Sequence, residues 1–174
     1  MNIISIFADQ LFAFHYDHET HNELHRLLAL WTDTAYLYQF VKQNRADTPQ
    51  KVSISTLVNQ LLDNANEIDD AINEITTNPE RCLEEFFKPL NDHELHIIEL
   101  SRQKGRKNYL RLYAIRIDKN CFVITGGTIK FHYKNKDRPH TQIEMLKIER
   151  CRDFLKGNNV FDADSFFEFL NEQL

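Results

Sequence analysis

A chain of 174 residues with 42% hydrophobic and 27% charged residues can build one domain with a true core, and four Gly and four Pro argue against a loop-rich or disordered chain. No apolar run approaches the about 18 residues of a membrane-spanning helix. The opening MNIISIFADQLFAFHYD lacks the basic start and small-residue cleavage site of a signal peptide, and Cys82, Cys121 and Cys151 are too scattered for a metal motif, so a reduced cytoplasmic setting is expected. The net charge of -5 hides a split: residues 101–152 hold 14 Lys+Arg against 4 Asp+Glu, and the rest holds 7 against 22. A separation this large points to a region that addresses an anion.

Residues 2–16 alternate isoleucine and aromatic side chains, which predicts a strand, or two short strands broken near Asp9-Gln10. Over residues 19–44 the period becomes helical, with Leu24, Leu27, Leu28, Trp31, Ala35 and Tyr38 in register and Asp17 or Thr20 as candidate cap. The strongest stripe, from Ile54 through Leu61 and Ile68 to Ile75, predicts a helix over residues 53–77. Asn78-Pro79 opens a short third helix toward Phe87, because proline suits the first helical position.

Beyond Pro89 the pattern becomes that of strands, expected over residues 93–101, 108–117 and 121–133. A basic loop (residues 102–107) and a tight Asp118-Lys119-Asn120 hairpin separate them, and Gly126-Gly127 marks a bulge or a close backbone approach. Thr141-Gln-Ile-Glu144 has the form of a capping box for a helix over residues 139–154, and a last short helix is expected over residues 162–172. The expected fold is therefore α+β: one domain over residues 1–174, with an antiparallel sheet of about four strands, N-terminal helices covering one face, and added C-terminal helices. Residues 1–90 form an acidic, mainly helical part, residues 91–156 a basic meander plus helix, and residues 157–174 the C-terminal helix.

The stretch NYLRLYAIRIDKNCFVITGGTIKFHYKNKDRPHTQIEMLKIERCRDFL, residues 108–155, resembles the C-terminal half of RelE/HigB-type toxins of bacterial toxin–antitoxin systems. The likeness lies in an Arg-bearing strand, a tight hairpin, an apolar strand running into glycine and a Lys-rich end, and a following helix. It implies an endoribonuclease that cuts messenger RNA, free or on the ribosome, by attack of a ribose 2′-OH on the adjacent phosphate. It further implies no cofactor and no metal, and a small antitoxin protein as partner. Such chemistry needs a base, an acid and cations for the developing phosphorane charge.

The residue types for that chemistry gather in the basic segment. Arg111, Lys130 and Arg138 are candidates to neutralise phosphate, and His132, whose ordinary pKa lies near neutrality, is the candidate for proton transfer. Arg106, Lys107, Lys134, Lys136 and His140 extend an RNA-binding surface on which Tyr109, Tyr113 or Tyr133 could stack a base. Arg116 has the opposite strand parity to Arg111 and is expected to pair with the acidic N-terminal part. A C-terminal helix bearing Phe161, Phe166 and Phe169 could cover the basic site. Two readings compete with the nuclease: a non-enzymatic protein- or RNA-binding relative of the same fold, and a metal enzyme using His18, His21 and His25. The histidines read first as a polar helix start.

Overall fold

Polar side chains decide where most of the helices begin. In the computed structural model, which describes residues 1–96, 99–131 and 138–174, the Asn22 side chain accepts the His25 amide (3.1 Å) and opens α1 (Glu23–Trp31). Asp33 accepts the amides of Ala35 and Tyr36 and opens α2 (Thr34–Gln43). The single helix expected over residues 19–44 is thus two, capped by Asn22 and Asp33 rather than Asp17 or Thr20. An aspartate whose carboxylate serves two free amides is worth more at a helix start than inside a continuous helix. Ser53 caps α3 (Ile54–Thr77), which buries Leu57, Leu61, Ala65, Ile68, Ile72 and Ile75 as its periodicity predicts. Each fully buried Leu or Ile on that stripe contributes about 1.5–3 kcal/mol.

The strands are β1 (Asn2–Phe7), β2 (Leu11–His15), β3 (Phe87–Pro89), β4 (Arg102–Lys107), β5 (Leu110–Asp118) and β6 (Cys121–Ile129). Among the described residues they form one sheet in the order β1-β2-β6-β5-β4-β3. All neighbours are antiparallel except β2 and β6, which run parallel over Leu11–Ala13 against Phe122–Ile124. The sheet is therefore mixed and six-stranded rather than antiparallel with about four strands.

Three further expectations are corrected. Residues 79–87 form a short 3-10 turn (Leu83–Glu85) leading into β3, not a helix, because Phe87 gains more by stacking on Phe122 with ring centroids 4.9 Å apart. Asp92–His96 is a 3-10 turn whose Leu95 stays exposed, and the strand is instead the supposed basic loop, β4. The helix α4 (Pro139–Gly157) starts at Arg138, so Thr141 and Glu144 lie inside it and form no capping box. The last helix, α5 (Ala163–Glu172), opens at Asp162 close to where it is expected.

Both faces of the sheet are covered. Leu11, Ala13, Leu112, Ala114 and Ile124 pack under α1, α2 and α3. Phe12, Phe14, Tyr113, Ile115 and Val123 pack under α4 and α5. Helices on one face alone would leave this second apolar set in water, which the hydrophobic effect opposes. The expected glycine irregularity is present: Tyr113 faces Gly126 while Ala114 faces Ile124, leaving Thr125 as the extra residue of a bulge. No helix among the described residues is long and apolar enough to cross a membrane.

Candidate nucleic-acid interface at the basic end of the sheet

Side chains two apart in a strand share a face, and register shows which of them meet across strands. Lys104 faces Tyr113 and Arg106 faces Arg111 across β4 and β5, and Arg111 faces Thr128 across β5 and β6. Lys104, Arg106 and Arg111 therefore share the α4 side of the sheet, and Lys130, two residues beyond Thr128, has the same parity. Arg106 and Arg111 are like charges in direct cross-strand register. The Lys104 ammonium is pushed below its ordinary range, first by partial burial and then by Arg111, Lys130 and Arg106.

Lys104 was hidden in the sequence because residues 102–107 carry no apolar alternation. Their basic residues nevertheless recur at period two, Arg102, Lys104 and Arg106, while Gly105 points the other way. A Cβ at Gly105 would lie 2.0 Å from Phe86 Cε1, so a small residue is required there. Arg102 is bound to Glu94 (2.6 Å) and Glu149 and ties β4 to α4.

The other expected site residues divide. Arg111 is buried and donates to the carbonyls of Asn108 (2.5 Å) and Leu110 (3.1 Å), bracing the β4–β5 turn beside the cluster. Lys107 lies on the opposite face, in register with Leu110. Tyr109 packs edge-on against Phe131 and its carbonyl accepts the Lys130 amide, which holds the start of the Lys130 side chain. Tyr113 is buried in the α4-side core and has no open face for a base, which corrects the stacking role expected of it. Arg138 pairs with Asp47 in the N-terminal layer rather than joining Lys104. His140 interacts through Nε2 with the Ile129 carbonyl (3.1 Å) and meets Phe40 edge-on, so its ring finishes the end of β6. His132, Tyr133, Lys134 and Lys136 lie outside the described residues. Arg116 reaches Glu84 at 2.5 Å, as its parity predicts.

A second polar cluster sits beside this end of the sheet. Past Ala13 the strand β2 turns away, and among the described residues no strand pairs with the rest of that edge of β6. Side chains satisfy it instead: Tyr16 Oη donates to the Thr125 carbonyl (2.6 Å), and the Gly127 amide donates to Glu144 Oε2 (3.1 Å). Buried Glu23 receives Arg26 (2.6 and 3.0 Å) and Lys147 (2.7 Å), joining α1 to α4. Burial pushes up the Tyr16 phenol and the Glu144 carboxyl, and raises the Cys151 thiol to about 12. A thiol held protonated in this way is no nucleophile at neutral pH. This cluster has its charges matched and reads as structural.

The N-terminal histidines do not converge. His21 and His25 stack at 4.4 Å, and His15 Nε2 lies 2.9 Å from the Glu19 carbonyl oxygen. Among the described residues no group of three His, Cys, Asp or Glu side chains could hold a metal ion. The helix α5 does not cover the basic cluster: Phe166 packs on Phe12 and joins the core of Ile115 and Ile117, at the other end of β5 from Arg111. The class defined so far is an α+β protein with a three-layer core and a cationic sheet end. No family model, no curated protein and no solved structure matches this chain.

Proposed function

We propose that the basic end of the sheet binds the phosphate backbone of RNA and that the protein is an endoribonuclease of the RelE/HigB type. The observation that carries the reading is the convergence of Lys104, Arg106, Arg111 and Lys130 on one face. In the proposed reaction the ribose 2′-oxygen attacks the adjacent phosphorus and the bond from phosphorus to the 5′-oxygen breaks. A base takes the 2′-OH proton and an acid protonates the departing oxygen. Arg106 and Lys130 neutralise the phosphorane oxygens while Arg111 holds the turn. Lys104, its ammonium pushed below the ordinary lysine range by partial burial and the neighbouring cations, serves proton transfer alongside His132. A small antitoxin that masks the site belongs to the same proposal.

The test uses purified protein with fluorescent single-stranded RNA and with translating ribosomes, in the presence of a chelator. Cleavage leaving 5′-hydroxyl ends, lowered about 10²–10⁴-fold by Lys104→Ala, is the expected result. Binding without cleavage in both assays favours the non-enzymatic relative. Affinity should fall with salt at a log–log slope of about -0.7 per phosphate contacted. Absence of binding in every assay removes the nuclease and the RNA-binding relative and leaves only the protein-binding one.

A further inference from the structure

The two outer edges of the sheet are finished differently. β3 is three residues long, with exposed Lys88 and with Pro89, which has no N–H to offer. These are devices that block strand addition. β1 has six residues, Asn-Ile-Ile-Ser-Ile-Phe, with no charge and no proline, and no strand lies on its outer side among the described residues. Its register is regular from Asn2 to Ser5 and breaks only beyond, at Ile6. Ile4 is 39% exposed. Beside the strand runs a groove of about 380 Å³, lined by Ile3, Ile4, Phe12 and Leu170 and closed by the end of α5.

Charge indicates what fits there. Residues 1–25 and 157–174 contain no Lys or Arg. On the exposed side of α5, Asp164, Glu168 and Glu172 recur every four residues, and none is in an ion pair among the described residues. Like charges at that spacing weaken a helix, and no cation of α5 offsets them. A second copy of the chain paired β1 to β1 would set two such acidic sides against each other, which disfavours self-association.

We propose that β1 is a docking edge for an extended, basic segment of a partner protein, which adds as a seventh strand. Backbone amides and carbonyls of Asn2–Phe7 supply the pairing, the groove beside α5 takes an apolar side chain at alternate positions, and lysine or arginine between them, on the other face, is drawn by the acidic surroundings, since residues 1–25 and 157–174 hold no cationic side chain. The proposal is independent of the RNA reading, which concerns the opposite side of the sheet.

A fluorescent octapeptide alternating valine and lysine is titrated against the full chain, beside a valine–glutamate peptide, with amide exchange followed by NMR. Expected are binding of the lysine peptide about tenfold tighter than the glutamate peptide, and slowed exchange at residues 2–5. The Glu168→Lys/Glu172→Lys variant, whose substitutions lie on the exposed side of α5, should reduce that preference by weakening the acidic field. Equal affinity for both peptides, or lysine-peptide binding that leaves β1 exchange unchanged, overturns the proposal. A dimer of the free protein by sedimentation, protecting the same amides, also overturns it in favour of a second copy at this edge.

Discussion

At Glu23 and at Lys104 the same sheet end handles charge in opposite ways. Glu23 is 1% exposed and meets Arg26 and Lys147, so a buried anion stands between two cations. Lys104 is half-buried, and the charged groups that shift it are Arg111, Lys130 and Arg106, cations like itself. Matched charges at a junction of two helices are a means of holding the layers together. Converging like charges form a cationic surface that favours the approach of an anion. The contrast separates the structural cluster from the candidate binding site.

The largest expected effect comes from breaking the matched cluster. Glu23→Ala leaves Arg26 and Lys147 without their shared anion and should cost about 3–5 kcal/mol in urea denaturation. Lys147 keeps Glu144 at 3.4 Å and Arg26 keeps Glu19 at 3.9 Å, so the loss should fall at the lower end of that range. A cost below about 1 kcal/mol would show that solvent already pays for these charges and that the comparison is false.

Between the two clusters lies Gly127. A Cβ there would meet the Arg111 carbonyl oxygen at 2.7 Å, Trp31 Cη2 at 2.8 Å and Leu27 Cδ1 at 2.9 Å. Gly127→Ala should cost about 1–3 kcal/mol by overpacking and weaken RNA binding as well, because it shifts the backbone of Arg111. Loss of stability with unchanged RNA affinity would separate the binding site from this strand.

The smallest effect should have the unusual sign. The folded pKa of Lys104 lies below its ordinary 10.5, so the unfolded chain binds more protons between those two values. Stability then rises with pH through that window, and below it the charged lysine costs the fold. Lys104→Met should stabilise the protein at neutral pH by up to about 0.5 kcal/mol, flatten the pH dependence in that window, and weaken RNA binding. Destabilisation on this substitution would contradict the like-charge reading.

Local periodicity was enough to read α3, the hairpin of β5 and β6, and the turn between them, because their apolar residues recur at the spacing of one element. It was enough to assign Arg116 to the opposite face from Arg111. It failed at β4, where Arg102, Lys104 and Arg106 alternate with Gln103 and Gly105 and no apolar residue marks a face, and at residues 19–44, where Asp33 breaks an otherwise continuous pattern. The capping role of His140 and the ion pair of Arg138 with Asp47 depend on partners far along the chain.

By itself the sequence determined the class of fold, the separation of acidic from basic regions, and most helix and strand positions, since these follow from short-range spacing and composition. Only the tertiary structure decided that β2 joins β6 in parallel, that helices cover both faces, and that Lys104 faces Arg111 and Lys130 while Tyr113 is buried. Those outcomes rest on which surfaces meet across the sheet, and a one-residue difference in register reverses them.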